Sequence, residues 1–277
     1  MLLKMKRVLT AVVLVPLIVW LIFGDSFWLI TLVVGIVAEL ALWEYLTLAD
    51  ASGAKTPRAA AGIAVAALFA LTFFHPELLA TLAGAITLAL LILCAFRSPL
   101  QRALPDAAFS VFGVFYIGLS LTTLPLLSQQ ENGPSILIFL LFAVWAGDTL
   151  ALYIGRPWGR RKLAPTISPG KSWEGSIASV GGSLAITALL LWISSILLAH
   201  GIGILAYPGP VADWFVLAII VNIAAQVGDL VESAIKRGAG VKDSGSLLPG
   251  HGGVLDRIDA LLIAAPVLWY ALLVQSF

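Results

Sequence analysis

The sequence predicts an all-α polytopic membrane protein of about nine transmembrane helices, with a cytoplasmic N-terminus and the C-terminus on the opposite side. Three observations carry that expectation. The first is composition: of 277 residues, 60% are hydrophobic and only 11% charged, with a mean hydropathy of +1.03, where a soluble domain carries about 25% charged residues. The second is the length of the apolar runs, which repeatedly reach the roughly 20 residues that a bilayer requires and show no strand-like alternation. The third is the placement of the 16 Lys and Arg residues, all of which fall on one side of the resulting topology.

The spans follow in order. The first, 8–24, comes after Lys4, Lys6 and Arg7; with no small-x-small cleavage site near 20–28, it reads as a retained helix. Span 27–48 carries Glu39 and, beside Trp43 and Tyr45, Glu44. Spans 59–75 and 77–96 flank His75-Pro76-Glu77, and the single cysteine, Cys94, lies in the second of them, where no intrachain disulfide is open to it. Spans 107–127, 135–154 and 175–199 follow; Gly181-Gly182-Ser183 in the last suits close helix packing. Spans 211–231 and 258–276 complete the set. The connections are short and rich in Pro, Gly, Ser and Asn, as helix ends should be. Residues 1–277 read as a single membrane-embedded domain: N-terminal helices over 1–105 and a catalytic part over 106–277.

With nine spans, one side receives Lys4, Lys6, Arg7, Lys55, Arg58, Arg97, Arg102, Arg156, Arg160, Arg161, Lys162, Lys171, Lys236, Arg237, Lys242 and Arg257, which is every Lys and Arg of the chain. The positive-inside rule makes that side cytoplasmic. Two long basic connections, 155–174 and 232–257, then face the cytosol.

Charge concentrates in 229–259, between two apolar segments. Upstream, Asn222, Gln226, Asp229, Ser233 and Arg237 recur at steps of three and four, so they share one helix face. For Asn222 and Gln226 this polar stripe suits interhelical hydrogen bonding. Asp229, where the stripe meets the charged segment, suits function, since acids inside a membrane face protein or a water-filled cavity. At the other end, Asp256 and Asp259 are three residues apart at the start of the last span, where carboxylates also suit the helix dipole. Two carboxylates among many basic groups suit a hard cation such as Mg2+ that keeps waters and takes phosphate oxygens as further ligands. Pro249-Gly250-His251-Gly252-Gly253 is a glycine-rich turn whose amides suit an anion; beside Lys236, Arg237, Lys242 and Arg257 it points to a polyphosphate. His251 reads equally as a phosphate ligand, a proton carrier or a loop hydrogen-bond donor.

The earlier basic segment begins at Asp148. Its Arg160-Arg161-Lys162 run suits either headgroup anchoring or phosphate binding. Ser168-Pro169-Gly170-Lys171-Ser172 lacks the G-x-x-x-x-G-K spacing of a P-loop and reads as a tight loop presenting Lys171 and backbone amides. Glu174 follows, placed to cap a helix or to pair with Lys171. Glu39 is open between helix or dimer pairing and a site role, and Glu44 reads as interfacial.

The run S-A-I-K-R-G-A-G-V-K-D-S-G-S-L-L-P-G-H-G-G-V-L-D-R-I-D, Ser233 to Asp259, resembles the signature of the phosphatidate cytidylyltransferases, or CDP-diacylglycerol synthases, at every fixed position. The upstream D-T-x-A-x-x-x-G-R and K-L-x-P-x-I-S-P-x-K-S-W-E-G, from Asp148 on, is similar to the same family. Residues 1–105 resemble it only in hydropathy and in the acidic pattern of the second span.

The resemblance implies transfer of the CMP moiety of CTP to phosphatidate, giving CDP-diacylglycerol and pyrophosphate for phospholipid synthesis, with Mg2+ and room for a second cation. It implies an enzyme of the bacterial cytoplasmic (inner) membrane, its active site facing the cytoplasm, with CTP, phosphatidate and membrane lipids as partners, a homodimer open, and no nucleic acid. Asp229 and Asp256 are the expected metal ligands, with Asp259 and Asp148 as further or outer ligands. Lys242 and Arg257 join the two aspartates as catalytic groups. Ser233, Lys236, Arg237, Gly250, His251, Gly252 and Gly253 are expected on CTP phosphates, and Lys162, Ser168 and Lys171 on nucleotide or lipid phosphate. The attacking phosphate is already anionic near neutral pH, its second pKa being about 6, so the absence of a Ser-His-Asp arrangement is no objection.

Rival classes are separable. A transporter would tend to show repeated halves. A CTP-dependent lipid kinase would transfer the γ-phosphoryl group, and a CDP-alcohol phosphotransferase would carry a different aspartate array.

Overall fold

The computed structural model describes residues 15–24, 26–247 and 252–275. The chain is helical almost throughout. Residues 15–23 form α1; then come α2 (Phe27–Ala51), α3 (Arg58–Phe74), a 3-10 turn (Pro76–Leu78), α4 (Leu79–Arg97), α5 (Leu100–Gly113), a π-helical stretch (Val114–Leu119), α6 (Ser120–Ser128) and α7 (Gly133–Trp158). After a hairpin of β1 (Lys162–Ala164) and β2 (Ser168–Ser172) follow α8 (Trp173–Ala199), α9 (Val211–Gly238), α10 (Leu255–Ile258) and α11 (Leu261–Gln275). Among the described residues seven helices are long and apolar enough to cross a membrane, and Arg58–Phe74 is a shorter apolar helix. Most of the expected first span, 8–24, lies outside the described residues. The protein is an all-α polytopic membrane protein.

Three boundaries differ from the sequence expectation. The fifth span starts at Leu100 rather than 107 and runs through Pro105 and the π stretch to Ser128. Helix α9 continues past 231 to Gly238, because its charged last turn, with Lys236 and Arg237, complements the C-terminal end of the helix dipole. It stops where Gly240 takes a positive φ of 72°. The basic connection expected at 232–257 is therefore partly helix. Lastly, the loop 155–174 is not irregular: Lys162 pairs with Ser172 and Ala164 with Ser168 in a short antiparallel hairpin.

The chain divides into two compact units. One comprises the residues up to Leu126 together with Ile235–Ile258. Its core includes Leu42, Tyr45, Leu46, Leu68, Ile117, Leu121 and Leu255, all buried. Helices pack tightly there because small residues let them: a Cβ on Gly113 would lie 2.6 Å from the Tyr45 ring, and one on Gly118 would lie 2.7 Å from Val65.

The other comprises Leu127–Ala234 and Asp259–Phe277. Its core holds Phe139, Leu140, Leu217, Val221, Leu262 and Leu268. Here α7 and α8 meet at Gly155 and Gly175, where an added Cβ would stand 3.3 Å and 3.2 Å from the opposite Cα. Of the expected close-packing point Gly181-Gly182-Ser183, Gly182 packs on the Ala146 carbonyl and Ser183 donates to the Ala143 carbonyl, whereas a Cβ on Gly181 would meet nothing within 4 Å. Gly228 of α9 lies against the backbone of Asp259 and Ala260 at the start of the last span, a Cβ there coming 2.5 Å from the Asp259 carbonyl oxygen.

Candidate functional site

In the second unit a cleft of about 460 Å3 opens among α7, the hairpin, α8 and α9. Asp148, Arg156, Ser168, Lys171, Gln226 and Asp229 line it. Local structure places each of these side chains. The hairpin turns Lys171 inward, and its Nζ meets Asp229 Oδ2 at 2.7 Å. Ser172 ends the hairpin and caps α8, accepting from the Gly175 amide at 3.2 Å. Gly159 leaves the room that Ser172 needs, since a Cβ there would stand 2.8 Å from the Ser172 Cβ. Glu174 does not pair with Lys171: its carboxylate accepts from the Arg161 amide at 3.2 and 3.3 Å, tying the far arm of the hairpin to α8. Lys162 is exposed on β1.

Beneath the cleft the polar stripe of α9 is fully used. Asn222 is buried and donates to Ser179 Oγ at 2.9 Å and Ser183 Oγ at 2.8 Å. Gln226 Nε2 donates to Asn222 Oδ1 at 2.6 Å, and Ser176 Oγ donates to Gln226 Oε1 at 2.5 Å. Gly147 makes this network possible: a Cβ there would lie 2.8 Å from Ser179 Oγ, and it would clash with the Asn222 amide. The interhelical hydrogen bonding expected of Asn222 and Gln226 is what the structure holds. One turn on, Ser233 Oγ donates to Asp229 Oδ1 at 3.4 Å. Asp259 lies in this unit too, its Oδ1 accepting from the Ala260 amide at 2.8 Å.

The other expected residues fall in the first unit. Asp256 is a hub: Oδ1 accepts from Lys236 Nζ at 2.6 Å, and Oδ2 from the amides of Ser244 at 3.0 Å and Gly253 at 2.8 Å. Gly252 takes a positive φ of 78° directly over this carboxylate, where a Cβ would lie 2.6 Å from Oδ2. The Gly253 amide, expected on a phosphate, is thus held by the chain's own acid. Arg237 Nη1 donates to the Val241 carbonyl at 3.2 Å. Lys242 and Arg257 are exposed. Gly250 and His251 lie outside the described residues.

Glu44 is the residue that the sequence reading placed wrongly. It is not interfacial but buried, at 3% exposure. Its Oε2 accepts from Ser244 Oγ at 3.0 Å and the Leu255 amide at 2.9 Å, and its Oε1 from the Val254 amide at 3.0 Å. A signal was available: an acid in a span has to find donors somewhere in the protein. Glu39 instead lies beside Gly62 of α3, where a Cβ would stand 3.2 Å from its Oε2, a helix-pairing position.

Among the described residues no group of three or more His, Cys, Asp or Glu side chains is placed to hold a metal ion. Asp148 and Asp229, however, line one cleft. Two carboxylates with room for water fit a Mg2+ that completes its octahedron with waters and phosphate oxygens.

The sequence profile described as Cytidylyltransferase family matches residues 5–275. A Haemophilus influenzae protein named phosphatidate cytidylyltransferase is 33% identical over 96% of this chain and 97% of its own length. One of the same name from Pseudomonas aeruginosa is 36% identical over the same shares. A Brucella abortus protein, again of that name, is 45% identical over 57% of this chain, and there the chain spans only about half, 54%, of the relative. A match that runs through both compact units, and so through the Asp229 cleft and the Asp256 hub alike, settles the kinship: the chain belongs to the cytidylyltransferase family.

Proposed function

We propose that this protein is a membrane nucleotidyltransferase that moves the CMP moiety of CTP onto phosphatidate. The observation that carries the reading is the cleft holding Asp148, Lys171 and Asp229, in a chain that aligns nearly end to end with relatives of that name. An oxygen of the lipid phosphate attacks the CTP α-phosphorus. The bond from that phosphorus to the bridging oxygen breaks, and its electron pair leaves on pyrophosphate. The obstacle is repulsion between two polyanions, so the protein's task is to place positive charge where negative charge gathers.

Within the second unit, Lys171, Arg156 and Ser168 serve the phosphates in the cleft. Lys171 can exchange Asp229 for a phosphate oxygen, since the pair is partly open to water, with side-chain exposures of 24% and 38%. Asp148 and Asp229 would hold Mg2+, which when bound supplies charge neutralisation on phosphate oxygens. Within the first unit, Arg237, Lys242 and Arg257 flank in sequence the residues held by Asp256 and would offer positive charge to a phosphate there. Asp256 remains a candidate ligand whose oxygens here hold Lys236 and two amides.

The one-sided distribution of all 16 Lys and Arg supports a cytoplasmic placing of this chemistry. Acyl chains then stay in the bilayer of the bacterial inner membrane while CTP arrives from water. The test is product identity. Purified protein given CTP, Mg2+ and phosphatidate should release pyrophosphate and form a CDP-lipid. Release of CDP with a phosphorylated lipid would make it a kinase, and absence of any turnover would favour a transporter.

A further inference from the structure

The basic run Arg160-Arg161-Lys162 has no part in the chemistry so far. From Trp158 to Trp173 the chain carries four cations, these three and Lys171, and no acid. The hairpin divides them. Lys171, on β2, turns into the cleft and meets Asp229. Arg160, Arg161 and Lys162, on and just before β1, are exposed. What the fold takes from them is backbone. The Arg161 amide donates to the Glu174 carboxylate, the Arg161 carbonyl accepts from the Trp173 amide at 2.9 Å, and Lys162 pairs with Ser172. These bonds fix the run in place while its three long cationic side chains stay open to the surroundings.

Two neighbours identify those surroundings. Trp158 ends α7 and Trp173 begins α8, both helices long and apolar enough to cross a membrane. Both indoles are exposed, at 66% and 54%. Exposed tryptophans at the ends of spans mark the headgroup level of a bilayer, where the ring meets hydrocarbon on one side and water on the other. The run starts two residues after the first indole and is hydrogen-bonded to the residue carrying the second. It therefore lies at the depth of lipid phosphates. At that depth each Lys or Arg strengthens attraction to anionic headgroups roughly fivefold. Paired strands lie only about 4.8 Å apart, so a headgroup drawn to the β1 arm stands a short step from Lys171 on β2.

We propose that the β1 arm of the hairpin, through Arg160, Arg161 and Lys162, is a docking surface for the phosphate headgroups of anionic lipids in the bilayer, and that it supplies the cleft with its lipid substrate. The second half rests on the proposed transfer to phosphatidate; the docking itself does not. The surface concentrates the lipid by charge and takes no part in making or breaking bonds.

The test uses the full chain in nanodiscs and the double variant Arg160→Gln/Arg161→Gln, which changes exposed side chains and keeps the backbone bonds. The first readout needs no turnover. Phosphatidylglycerol and phosphatidylcholine, each with a photoreactive group beside the glycerol, are crosslinked in otherwise identical phosphatidylcholine discs, and label on peptides covering 158–173 is measured by mass spectrometry. Wild type should prefer the anionic probe by about tenfold, and the double variant should lose most of that preference. Salt at about 1 M, where the screening length is about 3 Å, should do the same to wild type; this arm needs no substitution and carries the test if the variant does not fold. The second readout is kinetic. The KM for phosphatidate, as mole fraction in the bilayer, should rise by about fivefold or more in the variant, with the KM for CTP and the turnover at saturation within about twofold of wild type. Equal labelling by the two lipids overturns the proposal, and so does a KM for phosphatidate that the substitutions leave unchanged. A rise in the KM for CTP instead assigns the run to the nucleotide and overturns it too. If wild type makes no CDP-lipid, the proposed function fails by itself, and the preference for the anionic probe still decides whether the hairpin docks lipid headgroups.

Discussion

Two lysine–aspartate pairs, one in each compact unit, use the same chemistry in different settings. Lys171–Asp229 lines an open cleft at 2.7 Å, with side-chain exposures of 24% and 38%. Lys236–Asp256 is as short, at 2.6 Å, but its exposures are 13% and 7%, and the same aspartate also takes two backbone amides. An ion pair in contact with water gains little and can change partners cheaply. A buried one that loses a partner leaves an uncompensated charge. The first pair is therefore suited to trading its partner for a metal or a phosphate, and the second to holding backbone in place. The contrast sets a water-accessible pair in a cleft, proposed above to meet ligand, beside a buried pair that fixes backbone.

Substitution can break this comparison in order of effect. Asp229→Asn removes an acid of the cleft and should lower turnover by on the order of a thousandfold, as loss of a group that organises transition-state charge does. Thermal stability should change little, because the residue is partly exposed; steady-state CDP-lipid formation and a melting curve measure the two. Asp256→Asn should lower turnover by about a hundredfold, the scale of a misplaced binding segment, and excess Mg2+ should not restore it. It should also destabilise the protein by about 3–5 kcal/mol, the cost of stranding a buried partner. Near-normal turnover of Asp256→Asn at saturating Mg2+ would remove that residue from the site. Asn222→Ala removes the donor to Ser179 and the acceptor of Gln226 below the cleft, while Ser183 keeps its bond to the Ala143 carbonyl; it should cost about 1–3 kcal/mol of stability, with turnover within tenfold of wild type.

How much of this was readable from the chain depended on how local the cause was. Helices α2 and α8 begin and end within a few residues of the expected spans, because an apolar run and its flanking breakers are local. The extension of α9 to Gly238 was not legible by hydropathy: Lys236 and Arg237 end the apolar window but not the helix. The hairpin escaped because Lys162–Ala164 and Ser168–Ser172 show no alternation and include Pro169. Its pairing depends on Ser172 and Glu174 fastening it to α8. At the site, Asp148, Lys171 and Asp229 stood out as charges at span ends, and the structure gathers them in one cleft. Glu44 did not, because Trp43 and Tyr45 give it the look of a membrane-interface residue, and its partners lie beyond the reach of any local pattern.

The most direct test is a Mg2+ titration of CDP-lipid formation from CTP and phosphatidate, with wild type and Asp229→Asn side by side. Wild type should be inactive without divalent cation and rise to saturation, with pyrophosphate released in equal amount, while Asp229→Asn should stay near background at every Mg2+ concentration. Wild-type turnover without any divalent cation, or an Asp229→Asn curve that overlays wild type, would contradict the assignment of the cleft.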